Sequence, residues 1–165
     1  MMDHALIDLH CDTLTAFMDE AGQDDILAAL DDPHRRTDAL ARLTCVREKD
    51  TLDDPCHHLA LSKIPGGVHW CQCFAIFLPD GLSREDVQRY YQLHQQNFVR
   101  QMEKFSRCVT PCRTAEDIER AWAQGKTAAL LTVENGSALA GRLERVEQLA
   151  RDEVRMVTLT WNGEN

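Results

Sequence analysis

Three side chains in this sequence have the chemistry and placement to hold a divalent metal. His10 and Asp12 close the stretch ALIDLHCDT, residues 5–13, a short apolar run ending in an imidazole, one intervening residue and a carboxylate. If Ala5 to Cys11 is a strand, residues two apart point to the same side, so both groups stand together at its C-terminal end. Neutral imidazole and carboxylate are the ligands that zinc and its neighbours accept. Glu134 ends a second apolar run, Thr127 to Val133, and is either a further metal ligand or a carboxylate that caps the next helix. Trp161 and Asn162 end a third such run. The seven cysteines (Cys11, Cys45, Cys56, Cys71, Cys73, Cys108, Cys112) form no pair of Cys-x-x-Cys hooks, although Cys56 precedes His57 and His58 in a loop. An odd number without an export signal reads as free thiols rather than a disulfide framework or a structural cysteine-zinc site.

The elements that must position these residues alternate in type. After the first strand, short helices are expected around Asp25 to Leu30 and Thr37 to Val46, and the acidic tracts Asp24-Asp25 and Asp31-Asp32 read as solvated faces. Glu48 to Ser62, polar and interrupted by Pro55, reads as a long connection. Pro65-Gly66-Gly67 is a turn signal, and Val68 to Pro79, VHWCQCFAIFLP, is the nearly continuous apolar run that a strand buried on both faces requires. His69 and Trp70, early in that run, read as packing residues.

Ser83 to Asp86 has capping-box spacing, and Val87, Tyr90, Tyr91, His94, Phe98, Met102 and Phe105 recur at helical intervals, so a long helix follows. Thr114 to Asp117 repeats the cap, with Ile118, Ala121 and Trp122 as an apolar face and Gly125 as the stop. Beyond the strand that ends at Glu134, a helix is expected over Ala138 to Arg151 and a fourth strand over Val154 to Trp161.

Strands that lack clean alternation, separated by helices, make an α/β fold of repeated βα units with a parallel sheet. Ligands of such sheets gather at the C-terminal ends of the strands, in open sheets and barrels alike. His10 and Asp12, Glu134, and Trp161-Asn162 all fall at such ends, so they converge on one face.

Composition excludes other classes. The 18 Lys and Arg against 27 Asp and Glu give a formal charge of -9, with the basic residues scattered, which is unsuited to a nucleic-acid partner. No stretch approaches the roughly 18 consecutive apolar residues of a membrane span, and MMDHALIDLH lacks the basic and apolar regions of a signal peptide, so a cytoplasmic address is expected.

These residues carry a resemblance. The blocks DLHCDT (8–13), GGVHWCQCFAIFLPDG (66–81), CRTAEDIERAWAQGK (112–126), LLTVENG (130–136) and VRMVTLTWNGEN (154–165) resemble, in order and spacing, the bacterial branch of the membrane dipeptidase (renal dipeptidase) family of zinc peptidases. The resemblance implies a TIM-like (β/α)8 barrel with two zinc ions (Zn2+). His10 and Asp12 then look like ligands of one zinc and Glu134 like the catalytic carboxylate bridging both. It further implies hydrolysis of dipeptide substrates by a metal-activated water, with a D-residue tolerated at the C-terminal position. Trp161 and Asn162 are the candidate substrate contacts, Trp161 standing where mammalian members carry a substrate-contacting His.

A complete barrel of this type takes about 250 residues, and this sequence has 165. Residues 1–165 therefore read as a single partial domain, the first half, about four βα units, of such a barrel. The family's two further zinc-binding histidines and its proton-transferring Asp come from later strands. The chain is expected to be the first part of a longer dipeptidase. The alternatives are a non-catalytic half barrel that forms a homo-oligomer or binds a partner through its open edges, and another metal-dependent amidohydrolase. The last is disfavoured because that superfamily's first strand commonly carries His-x-His, not His10-Cys11-Asp12.

Overall fold

The structure, a computed structural model, describes residues 4–16, 52–53 and 59–163. The helices expected around 25–30 and 37–46, Cys45, and the Cys56-His57-His58 group lie outside the described residues. In chain order the elements are β1 (His4–Cys11), α1 (Thr13–Ala16), β2 (Val68–Phe77), α2 (Arg84–Lys104), β3 (Val109–Pro111), α3 (Ala115–Ala123), β4 (Thr127–Glu134), α4 (Glu144–Arg151) and β5 (Val154–Thr158). All strand pairs are parallel. The expected partial α/β barrel with a parallel sheet is what the chain forms.

Strand β4 is central. Strand β2 lies along one of its edges, from Cys71 opposite Ala128 to Phe77 opposite Glu134. Its other edge is shared, with β3 pairing at residues 127–129 and β5 at residues 131–134. Strand β3 has no counterpart in the sequence reading: three residues are too few for a periodicity, and only pairing with β4 makes Val109–Pro111 a strand.

Helices α2 and α3 begin where side chains can satisfy their unpaired amides. The Ser83 hydroxyl accepts from the Asp86 amide, and Glu85 and Asp86 put negative charge in the first turn of α2. Thr114 and Asp117 form a complete capping box at the start of α3.

The helix expected over 138–151 is shorter than its sequence pattern. Residues 136–139 form a 3-10 turn, Ala140 (φ 51°) and Gly141 (φ 69°) are left-handed, and α4 starts at Glu144. Two successive left-handed residues cannot continue a right-handed helix, whatever the spacing of the apolar side chains around them. Strand β5 likewise stops at Thr158, three residues before Trp161, because Leu159 turns its carbonyl to the Gly136 amide.

The core lies between one sheet face and α2. Phe74 and Ile76 of β2 and Leu131 and Val133 of β4 pack against Tyr90, Tyr91, Phe98 and Met102. The residues of opposite parity at the strands' N-terminal ends, Cys71 and Ala128, pack with Ala121, Ile118 and Trp122 of α3. His69 stacks on Trp122 at 5.5 Å, the packing role expected of it. Among the described residues β1, β3 and β5 border the sheet, and Ile7 and Leu9 (62 % exposed) of β1 and Leu159 (68 %), just beyond β5, show apolar surface. Among the described residues no helix is long and apolar enough to cross a membrane.

Candidate metal centre

A one-residue bulge in β1 determines where His10 points. Asp8 is opposite Gln72, but Cys11 is opposite Phe74, so one residue too many lies between them. Straight alternation would put His10 on the face of Leu6 and Asp8. The bulge shifts the phase by one and turns His10 to the same face as Glu134. The Asp8 carboxylate holds the bulge, accepting the His10 amide at 3.2 Å. Buried Gln72 braces it from β2, its side-chain amide donating to the Asp8 carbonyl at 3.5 Å.

The result is one cluster. His10 Nε2 is 3.2 Å from Asp12 Oδ2 and 3.5 Å from Glu134 Oε2, and one ligand atom from each of the three lies within 4.8 Å of the others. A tetrahedral zinc with bonds near 2.0 Å needs donors about 3.3 Å apart, so the residues fit such an ion with small adjustments. Two further features match a cation. Asp12 Oδ1 is buried with no hydrogen-bond partner among the described residues. Burial, followed by the charge of Asp12, holds the Glu134 carboxyl above its ordinary pKa, against a smaller opposing effect of His10. A positive ion here would relieve both. Three protein donors leave positions open for water, substrate or a second ion.

Trp161 meets Phe77 edge-on at 4.8 Å, and Phe77 is the register partner of Glu134, so the indole forms a wall beside the cluster. Asn162 follows at the exposed rim. Among the described residues this is the one group of three or more His, Cys, Asp or Glu side chains close enough to share an ion. The buried thiols stand apart from this group. Burial raises Cys11 to about 11 and Cys71 to about 12, and it pushes Cys73 and Cys112 upward too. All four are free thiols, and none belongs to the cluster of His10, Asp12 and Glu134.

Residues 1–165 match the family model for membrane dipeptidase, peptidase family M19. The chain belongs to the membrane dipeptidase family. Solved structures of similar fold include a metallopeptidase from Rhodobacter sphaeroides liganded with a phosphinate mimic of the dipeptide L-Ala-D-Ala. It is 17 % identical with a TM-score of 0.67, over 98 % of this chain and 47 % of that one. The dipeptidase AC, an M19 metallopeptidase, is 18 % identical with a TM-score of 0.63, over 96 % and 43 %. The probable dipeptidase PvdM from Pseudomonas aeruginosa is 22 % identical with a TM-score of 0.59, over 68 % and 31 %. At such identities they establish the fold, and this membrane dipeptidase family chain spans less than half the length of each. Among curated proteins none matches the chain in sequence.

Sequence reasoning missed Asp8, Asp80 and Asn135. The DLHCDT block carries Asp8, but only the register shift gives it a role. Asn135 is visible as part of a turn after Glu134; its contacts with residues 78 and 80 are not.

Proposed function

We propose that this chain supplies the metal-binding half of a zinc-dependent dipeptidase, with His10, Asp12 and Glu134 as its ligands and Glu134 as the carboxylate shared by two ions. The observation that carries this reading is the convergence of the three donors at the C-terminal ends of β1 and β4, in a chain of the membrane dipeptidase family. Zinc, when bound, supplies a Lewis acid and a water of lowered pKa. The chain's own residues do the rest. His10 and Asp12 hold their donors two residues apart on a bulged strand end. Glu134 brings a partly buried carboxylate from β4 of the same sheet, and Trp161 packs edge-on against Phe77, the register partner of Glu134.

A small dipeptide is the substrate class, and the L-Ala-D-Ala mimic held by the Rhodobacter sphaeroides relative supports including a D-residue at the C-terminal position. The test is zinc content per chain by elemental analysis, together with hydrolysis of a panel of L,L and L,D dipeptides. Bound zinc lost on substitution of His10 or Glu134, with metal-dependent turnover, supports the proposal. Absence of zinc after dialysis into a zinc buffer sinks it.

The exposed apolar side chains on β1 and β5 favour a second, compatible reading in which two copies associate edge to edge. Light scattering at micromolar concentration distinguishes a dimer from a monomer.

A further inference from the structure

The residue after Glu134 is held more firmly than any turn requires. Asn135 is fully buried and adopts φ 89°, ψ 114°, a conformation that non-glycine residues rarely adopt. Every polar atom of its side chain is engaged. Its Oδ1 accepts the Ser137 amide at 3.0 Å, and its Nδ2 donates to the Leu78 carbonyl at 2.9 Å and to Asp80 Oδ1 at 2.7 Å. The backbone continues the pattern. The Asn135 amide donates to the Thr158 carbonyl, the Gly136 amide to Leu159, and the Leu78 amide to Glu134. One residue thus ties together the C-terminal ends of β2, β4 and β5.

The second half of the tie is Asp80. Its carboxylate lies against Gly163 so closely that a Cβ built there would stand 2.8 Å from Asp80 Cγ. Gly163 is two residues beyond Trp161, whose ring leans on Phe77 beside Glu134. Side chains 80 and 135 therefore join the strand that carries Glu134 to the loop that carries Trp161.

We infer that Asn135 and Asp80 form a positioning pair that couples the Glu134 carboxylate to the Trp161 loop, so that a disturbance at either end is felt at the other. The inference rests on the proposal that Glu134 binds a metal. The chemistry requires asparagine. Aspartate at 135 has the same shape, but it would turn an oxygen toward the Leu78 carbonyl and the Asp80 carboxylate, making both contacts repulsive. Glycine would accept the backbone angle and lose every side-chain bond.

The test uses the 165-residue chain, Co2+ alone as the probe, and three variants: Asn135→Asp, Asn135→Gly and Gly163→Ala. Co2+ affinity and its visible absorption bands report the geometry around Glu134. The indole resonances in a two-dimensional nitrogen–proton spectrum report the loop. Trp122 serves as the internal control, since its indole donates to the Trp70 carbonyl, away from the loop.

Asn135→Asp and Asn135→Gly are expected to weaken Co2+ binding about ten- to a hundredfold, as loss of a ligand's supporting contacts does elsewhere, and to shift its bands. Both should move the Trp161 indole and leave that of Trp122 in place. Gly163→Ala, outside every helix and strand, should move the same indole and shift the Co2+ bands from the loop side. Unchanged Co2+ binding and an unmoved Trp161 resonance in all three would overturn the inference. If the unaltered chain binds no Co2+, the metal proposal fails by itself. The coupling then stands or falls on whether Asn135→Gly moves the Trp161 indole.

Discussion

At Glu134, function and stability pull in opposite directions. Burial and the Asp12 charge raise its pKa, so the unfolded chain loses this proton at lower pH than the folded one. Its contribution to stability is fully present below the ordinary glutamate value and is lost as pH rises through the folded pKa. At neutral pH and without metal, Glu134→Gln should therefore melt no lower than the unaltered chain while its zinc binding falls, a combination that calorimetry and a zinc titration would detect together. Lower stability with unchanged zinc affinity would contradict both halves. Asp8 is the complementary case, a residue with no place in the proposed ligand set that sets the direction of one that has. Asp8→Ala leaves the bulge amide of His10 without its acceptor and should weaken zinc binding about tenfold or more, with the Asp8→Asn variant, which keeps an acceptor oxygen, recovering most of it.

Within single elements the same physics gives simpler outcomes. Thr114→Ala removes one side of the capping box of α3 and should destabilise the chain by about 1 kcal/mol in urea titrations. Ala140 is left-handed at φ 51°, ψ 32°. Ala140→Gly relieves that conformation and should stabilise by about 1 kcal/mol, provided the 3-10 turn before it is retained. In α2, His94 is fully buried over the Tyr90 ring, its Nδ1 donates to the Tyr90 carbonyl at 2.8 Å, and its Nε2 has no partner among the described residues. Burial lowers it from 6.5 to about 4, so the unfolded chain binds this proton first as pH falls. Stability should be full above about pH 6.5 and decline toward pH 4, by on the order of a few kcal/mol. In His94→Gln that part of the acid dependence should disappear from melting curves recorded across this window.

For the whole molecule the edges of the sheet formed by the described residues matter most. Strand β2 is buried from Cys71 to Phe77, whereas Ile7 and Leu9 of β1, Met156 of β5 and Leu159 just beyond it are exposed. Unpaired edge strands with apolar side chains invite pairing with another chain. Leu9→Lys combined with Leu159→Lys should shift light scattering toward monomer; if the apparent mass stays the same, these edges are not where copies meet.

The residue pattern by itself determined the buried strands, the caps of α2 and α3, and the pairing of His10 with Asp12, because each follows from local periodicity or from contacts a few residues apart. The meeting of these two with Glu134 was legible only through the general rule that parallel strands gather ligands at their C-terminal ends. Tertiary structure alone decided the rest. Strand β3 exists because β4 offers it an edge, and the expected 138–151 helix breaks at Ala140 and Gly141, both left-handed. His10 faces Glu134 because a bulge against β2 shifts the alternation by one residue, and Asn135 clamps three strands through partners 57 and 55 positions away in the chain. Such features depend on which backbones lie side by side, and a one-residue change of register that reverses a side chain leaves no mark on the periodicity of either strand alone.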